Sequence, residues 1–77
     1  MQKTYITLKT ISDIREFVNE VTLLEYEVDL EQGRYIVDAK SIMGIFALDT
    51  LSPITVVAYS AEKADAFFEK IKDFIVE

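Results

Sequence analysis

Hydrophobic and polar positions change their period repeatedly along this chain, and each change marks an element. From Glu25 to Glu31 the alternation is strict, with Glu25, Glu27, Asp29 and Glu31 on one side and Tyr26, Val28 and Leu30 on the other, which predicts a strand with one buried face. Gln32-Gly33 then offers a glycine for a turn that needs positive φ. Arg34 to Ala39 resumes the alternation, Tyr35 and Val37 against Ile36 and Asp38, so the two runs predict a hairpin. Lys3 to Leu8 alternates more weakly, and Ile54 to Tyr59 forms a fourth strand opened by Pro53.

Between these runs the period lengthens. Ile14, Phe17, Val18, Val21 and Leu24 follow the spacing of an amphipathic helix, predicted over Ser12 to Thr22, with Ser12 or Asp13 as its cap and Glu16 completing an Asp-x-x-Glu box. Ser41 to Leu48 predicts a short middle helix, followed by the loop Asp49 to Pro53. Ser60 caps a final helix predicted over Ala61 to Ile75, whose stripe is Ala64, Phe67, Phe68, Ile71, Phe74 and Ile75. The order β-α-β-β-α-β-α predicts an α+β fold in which residues 1–77 form one domain, an open-faced sandwich with a four-stranded antiparallel sheet and three helices on one face. Its expected core is Ile6, Ile14, Phe17, Val18, Val21, Val28, Leu30, Ile45, Leu48, Val56, Phe67, Phe68 and Ile71. The other face meets solvent, which accounts for the carboxylate row from Glu25 to Glu31.

Composition narrows the chemistry. The 77 residues include no cysteine and no histidine, so there is no thiolate, no disulfide, no imidazole base and no phosphohistidine. No cofactor or metal site is suggested. Eight Lys plus Arg against fourteen Asp plus Glu leave a net charge of −6, which disfavours a nucleic acid partner. The longest nearly apolar run, Ile42 to Leu48, is far short of the roughly 20 residues that span a bilayer, so no membrane partner is expected and a cytoplasmic location is.

Lys40-Ser41-Ile42-Met43-Gly44, within Val37 to Leu48, closely resembles the second signature of HPr, the histidine-containing phosphocarrier of the bacterial sugar phosphotransferase system. The element order, the opening Gln-Lys-Thr-Tyr, the run Val28 to Glu31 and the strand after Pro53 resemble that family too. The resemblance implies an HPr-like fold and makes Ser41, at the start of the middle helix, the counterpart of the regulatory serine phosphorylated by a bifunctional kinase/phosphorylase. The family's first signature, a Gly-x-His-Ala-Arg-Pro-like sequence before the first helix, is replaced here by Leu8-Lys9-Thr10-Ile11-Ser12-Asp13. One alignment sets Thr10 at the histidine and Ser12 at the arginine; another sets Asp13 at the histidine and Arg15 at the arginine. Neither restores an imidazole, and a capping carboxylate or an alcohol without a base is a weak phosphoryl acceptor.

The leading functional expectation is a non-enzymatic, HPr-like regulatory or protein-binding chain controlled through Ser41. At about 100° per residue, Ile42, Met43 and Phe46 share one arc of the middle helix, and Gly44, Ile45 and Leu48 the opposite one. With Ile45 and Leu48 inward, Ile42, Met43 and Phe46 form an exposed apolar patch for a partner, which the resemblance implies to be an HPr kinase/phosphorylase or a transcriptional regulator. The alternatives are a phosphocarrier with a non-histidine acceptor, and a self-associating domain whose outer sheet face, through Tyr5, Val57 and Tyr59, makes a homodimer.

Overall fold

The computed structural model describes residues 1–76. Its elements are β1 (Gln2–Ile6), α1 (Ile11–Thr22), β2 (Val28–Gln32), β3 (Tyr35–Asp38), α2 (Ile42–Phe46), β4 (Ile54–Ala58) and α3 (Ala64–Lys70), followed by a 3₁₀ turn over Lys72–Phe74. The four strands form one antiparallel sheet in the order β1-β4-β2-β3. The α+β open-faced sandwich expected from the periodicity is the observed architecture. β4 is a central strand, and it is also the most apolar one, with Ile54, Val56, Val57 and Ala58 all buried.

Register explains the core. Thr4, Val56, Leu30 and Val37 lie side by side across the four strands, so the inner faces of Leu30 and Val56 meet the helices together. Ile14, Phe17 and Val21 of α1 and Ala64 and Phe67 of α3 cover them, with the Phe17 and Phe67 ring centroids 6.2 Å apart. At Gly33, φ is +59°, and the hairpin has two central residues, Gly33 and Arg34, of which only the glycine has positive φ. That is the pattern of a type II′ turn, whose twist suits the flanking strands.

Several boundaries differ from expectation, some for local and some for tertiary reasons. α1 begins at Ile11, and its cap is Thr10 rather than Ser12 or Asp13: Thr10 Oγ1 accepts from the Asp13 N–H at 3.0 Å. β2 begins at Val28, because the chain before it turns toward α3, where Glu25 pairs with Lys63 at 3.4 Å; Glu25 therefore leaves the outer carboxylate row. The last helix ends at Lys70, since the chain after Phe74 becomes extended and pairs with the free edge of β1. Ile75 bridges Ile6, Thr7 N–H donates to Phe74 O at 3.0 Å and Val76 N–H to Tyr5 O at 2.8 Å. Ser60 Oγ accepts from Lys63 N–H at 3.2 Å, as a cap does, but closes a turn that precedes α3. Val18 and Phe68 are half-buried at the rim of the core, while Leu8, Ile54, Ala39, Ala58 and Ala64 join its centre.

Candidate functional site

α2 is set up by the two residues before it. Asp38 holds the exit from β3, its backbone carbonyl accepting from Ser41 N–H at 3.0 Å and its Oδ1 from Lys40 N–H at 2.8 Å. Ser41 then caps the helix, Oγ accepting from Gly44 N–H at 3.1 Å. Gly44 is needed for space: a methyl there would stand 3.1 Å from Val37 Cβ and 3.3 Å from Ser41 Oγ, so the glycine lets the helix rest on β3. With that seat fixed, Ile45 is fully buried and Leu48 nearly so. Ile42, Met43 and Phe46 point outward with 37%, 77% and 52% of their surface exposed, and Ser41 is exposed beside them.

The apolar surface extends beyond α2. A groove of about 260 Å³ between the start of α1 and the end of α2 is lined by Thr10, Ile11, Ile14, Phe46, Leu48 and Leu51, among others. Ile11 and Leu51 are both largely exposed and stand with Phe46 at its mouth. The loop carrying Leu51 is pinned by Gln32, whose Nε2 donates to Asp49 O at 2.7 Å and whose Oε1 accepts from Asp49 N–H at 2.8 Å. Ser52 Oγ adds a bond to Asp49 Oδ2 at 2.7 Å. Ile11 continues the Ile14, Val18 and Val21 spacing one turn back, but lies outside a helix expected to begin at Ser12, and Leu51 belongs to no periodic run. The available signals were that spacing for Ile11 and, for Leu51, a lone large apolar residue in an otherwise polar loop.

The residues aligned with the missing first signature are occupied structurally. Thr10 caps α1, and Asp13 reaches back so that its Oδ2 accepts from Lys9 N–H at 3.1 Å. This reciprocal arrangement resembles a capping box, with the carboxylate serving a backbone donor. Ser12 is exposed. Among the described residues no three or more Asp or Glu side chains gather as metal ligands, and no helix is long and apolar enough to cross a membrane.

On the outer sheet face Tyr5 and Tyr59 are exposed as expected, but Val57 is fully buried. It sits on a central strand, flanked in register by Lys3 on one side and Asp29 on the other. Tyr59 OH donates to Asp29 Oδ2 at 3.1 Å. That bond raises the Tyr59 phenol above its usual range, helped by lost hydration and by the charges of Asp29 and Glu31. Burial likewise raises Tyr26, against the opposing pull of Lys63. A phenol whose folded value is raised favours folding while protonated, so its contribution is complete at neutral pH and is lost as pH climbs beyond the folded value, above about 10. Melting temperature should therefore fall through that alkaline range, and less steeply for Tyr59→Phe. Identical slopes in thermal melts followed with phenolate absorbance would contradict this.

The fold agrees with solved structures. The chain is similar to HPr-C-His from Thermoanaerobacter tengcongensis at 21% identity and a TM-score of 0.79, covering 95% of this chain and 89% of that one. It is similar to the phosphocarrier protein HPr of Bacillus anthracis at 26% identity and a TM-score of 0.72, covering 97% and 94%. The histidine-containing phosphocarrier protein of Mycoplasma matches at 22% identity and a TM-score of 0.70, covering 94% and 86%. No family model matches the chain, and no curated protein matches it significantly. The chain has the HPr-like fold.

Proposed function

We propose that this chain is a non-catalytic, regulatory member of the HPr-like group that binds a protein partner through α2, with Ser41 as a phosphorylation site that switches the contact. The observation that carries this reading is the exposed apolar surface of Ile42, Met43 and Phe46, continued by Ile11 and Leu51, beside an exposed Ser41. A small chain that leaves such a surface uncovered gains from a partner that covers it. The similar structures described as phosphocarriers support a role in the same system. This chain has no histidine to carry the phosphoryl group, so partner binding is the part of that role left to it. The partner is an HPr-type kinase/phosphorylase or a transcriptional regulator. In the regulatory step the Ser41 oxygen displaces ADP from the γ-phosphorus of ATP and gives up its proton. The resulting dianion charges the rim of the apolar patch and changes which partner fits.

Ser41→Asn separates capping from modification, because asparagine caps helices about as well as serine yet offers no hydroxyl. With an HPr-type kinase and ATP, the wild-type chain should gain one phosphoryl group by intact mass, and Ser41→Asn none, at nearly unchanged melting temperature. Undiminished labelling of Ser41→Asn would refute the site.

A further inference from the structure

The two edges of the sheet are treated differently. The β1 edge is covered by the chain's own C-terminal segment, through the Ile6 and Ile75 bridge and the bonds at Thr7 and Val76. The β3 edge has no such cover. Tyr35 and Ile36 are 57% and 66% exposed, and among the described residues β3 pairs with β2 alone. It is short, at four residues, and ends on a carboxylate, but it carries no lysine, proline or bulge to blunt its open edge further.

The direction of its free groups follows from the hairpin. A two-residue turn is closed by a bond from Tyr35 N–H to Gln32 O, and antiparallel ladders alternate bonded and non-bonded pairs. Tyr35 and Val37 therefore spend their backbone groups on β2, while Ile36 and Asp38 turn theirs outward. The segment Arg34-Tyr35-Ile36-Val37-Asp38 is self-complementary when laid antiparallel on itself about Ile36. Ile36 meets Ile36, Tyr35 meets Val37, and the Arg34 cation of each copy meets the Asp38 carboxylate of the other. Neither Arg34 nor Asp38 has a salt bridge within the described chain.

We propose that the β3 edge is a homodimerisation surface, on which a second copy adds its own β3 antiparallel and in register at Ile36, extending the sheet from four strands to eight. The two Ile36 residues exchange both backbone bonds, and Asp38 N–H donates to Arg34 O of the other copy at each end. Charge selects this occupant. A uniformly basic or acidic strand would attract one end of the segment and repel the other, whereas an antiparallel copy matches both. Packing two outer faces together would instead set Asp29, Glu31 and Asp38 against their counterparts, three carboxylates against the two cations Lys3 and Arg34. The contact is short, so association is weak and depends on concentration.

The test is sedimentation equilibrium of the whole chain as its concentration rises from micromolar to millimolar, with isotope-filtered NMR on mixed labelled and unlabelled protein. The expected result is a monomer–dimer equilibrium with an intermolecular contact between the Hα atoms of Tyr35 and Val37, the pair that faces without backbone bonds. Ile36→Lys should weaken association at least tenfold with little change in melting. Arg34→Glu and Asp38→Lys should each weaken it alone and restore it when mixed, because every cross-copy pair is then opposite in charge. A monomer throughout, undiminished association of Ile36→Lys, failure of the mixture to recover, or intermolecular contacts confined to Tyr5 and Tyr59 or to Ile42 and Phe46 would overturn the proposal.

Discussion

Phe67→Ala should lower folding stability by about 3 to 5 kcal/mol, while Phe68→Ala should lose clearly less. The two rings are neighbours in sequence, with centroids 5.7 Å apart, but only Phe67 is enclosed, against Phe17 and beneath α1. Truncating it removes a large buried ring from the one core that α1, α3 and the sheet share. Phe68 lies at the rim, where water reaches the vacated space. A chain of this size has on the order of 4 to 12 kcal/mol of total stability, so the Phe67 variant should be largely unfolded at temperatures the Phe68 variant survives. Denaturant titrations compare the two directly. Equal midpoints would mean that the rings share the load, contrary to their burial.

The second large effect is on binding. Ile42→Asp and Phe46→Asp should each abolish partner capture while leaving the melting temperature nearly unchanged, because both side chains already face water in the free protein. A buried carboxylate in the bound state would lack a counter-charge, a cost that falls on the complex alone. Ile45→Asp provides the contrast: the same charge one residue from Phe46 would enter the core and unfold the chain. Calorimetric titration with an HPr-type kinase measures the binding term, and thermal melts the folding term. Unfolding of the Ile42 and Phe46 variants, or retained binding by both, would contradict the docking surface.

Much of the fold was legible because small helices and strands betray themselves by period. The Glu25 to Glu31 alternation, resumed from Arg34 to Ala39, located the hairpin, and the Ile14 to Leu24 spacing located α1, since each buries one face against the same core. What sequence missed depends on contacts between distant residues. Nothing local tells Ile75 to leave the helical stripe; the unpaired edge of β1 does, by offering backbone partners that the helix would forgo. Val57 reads as an outward residue, and it lies apart from the main core cluster, but on a central strand flanked on both sides it is removed from water. Thr10 displaced Ser12 and Asp13 as cap because the helix starts one turn earlier than its apolar stripe. In the candidate site, the arc of Ile42, Met43 and Phe46 was readable from helical geometry alone. Their continuation by Ile11 and Leu51 was not, because the packing of α1 sets Ile11, and the Gln32 clamp on the following loop sets Leu51, in one groove with Phe46.

A chain that binds without relaying phosphoryl groups should stay unmodified when incubated with phosphoenolpyruvate and the first enzyme of the phosphotransferase system, as read by intact mass without acid treatment. The mass should stay unchanged under conditions that fully phosphorylate a histidine-bearing HPr, because the two positions that align with the acceptor hold a capping threonine, Thr10, and a carboxylate, Asp13, bonded to Lys9 N–H. Rapid gain of one phosphoryl group, mapped to Thr10, Ser12 or Asp13 and lost on substitution of that residue, would make the chain a carrier and contradict the account.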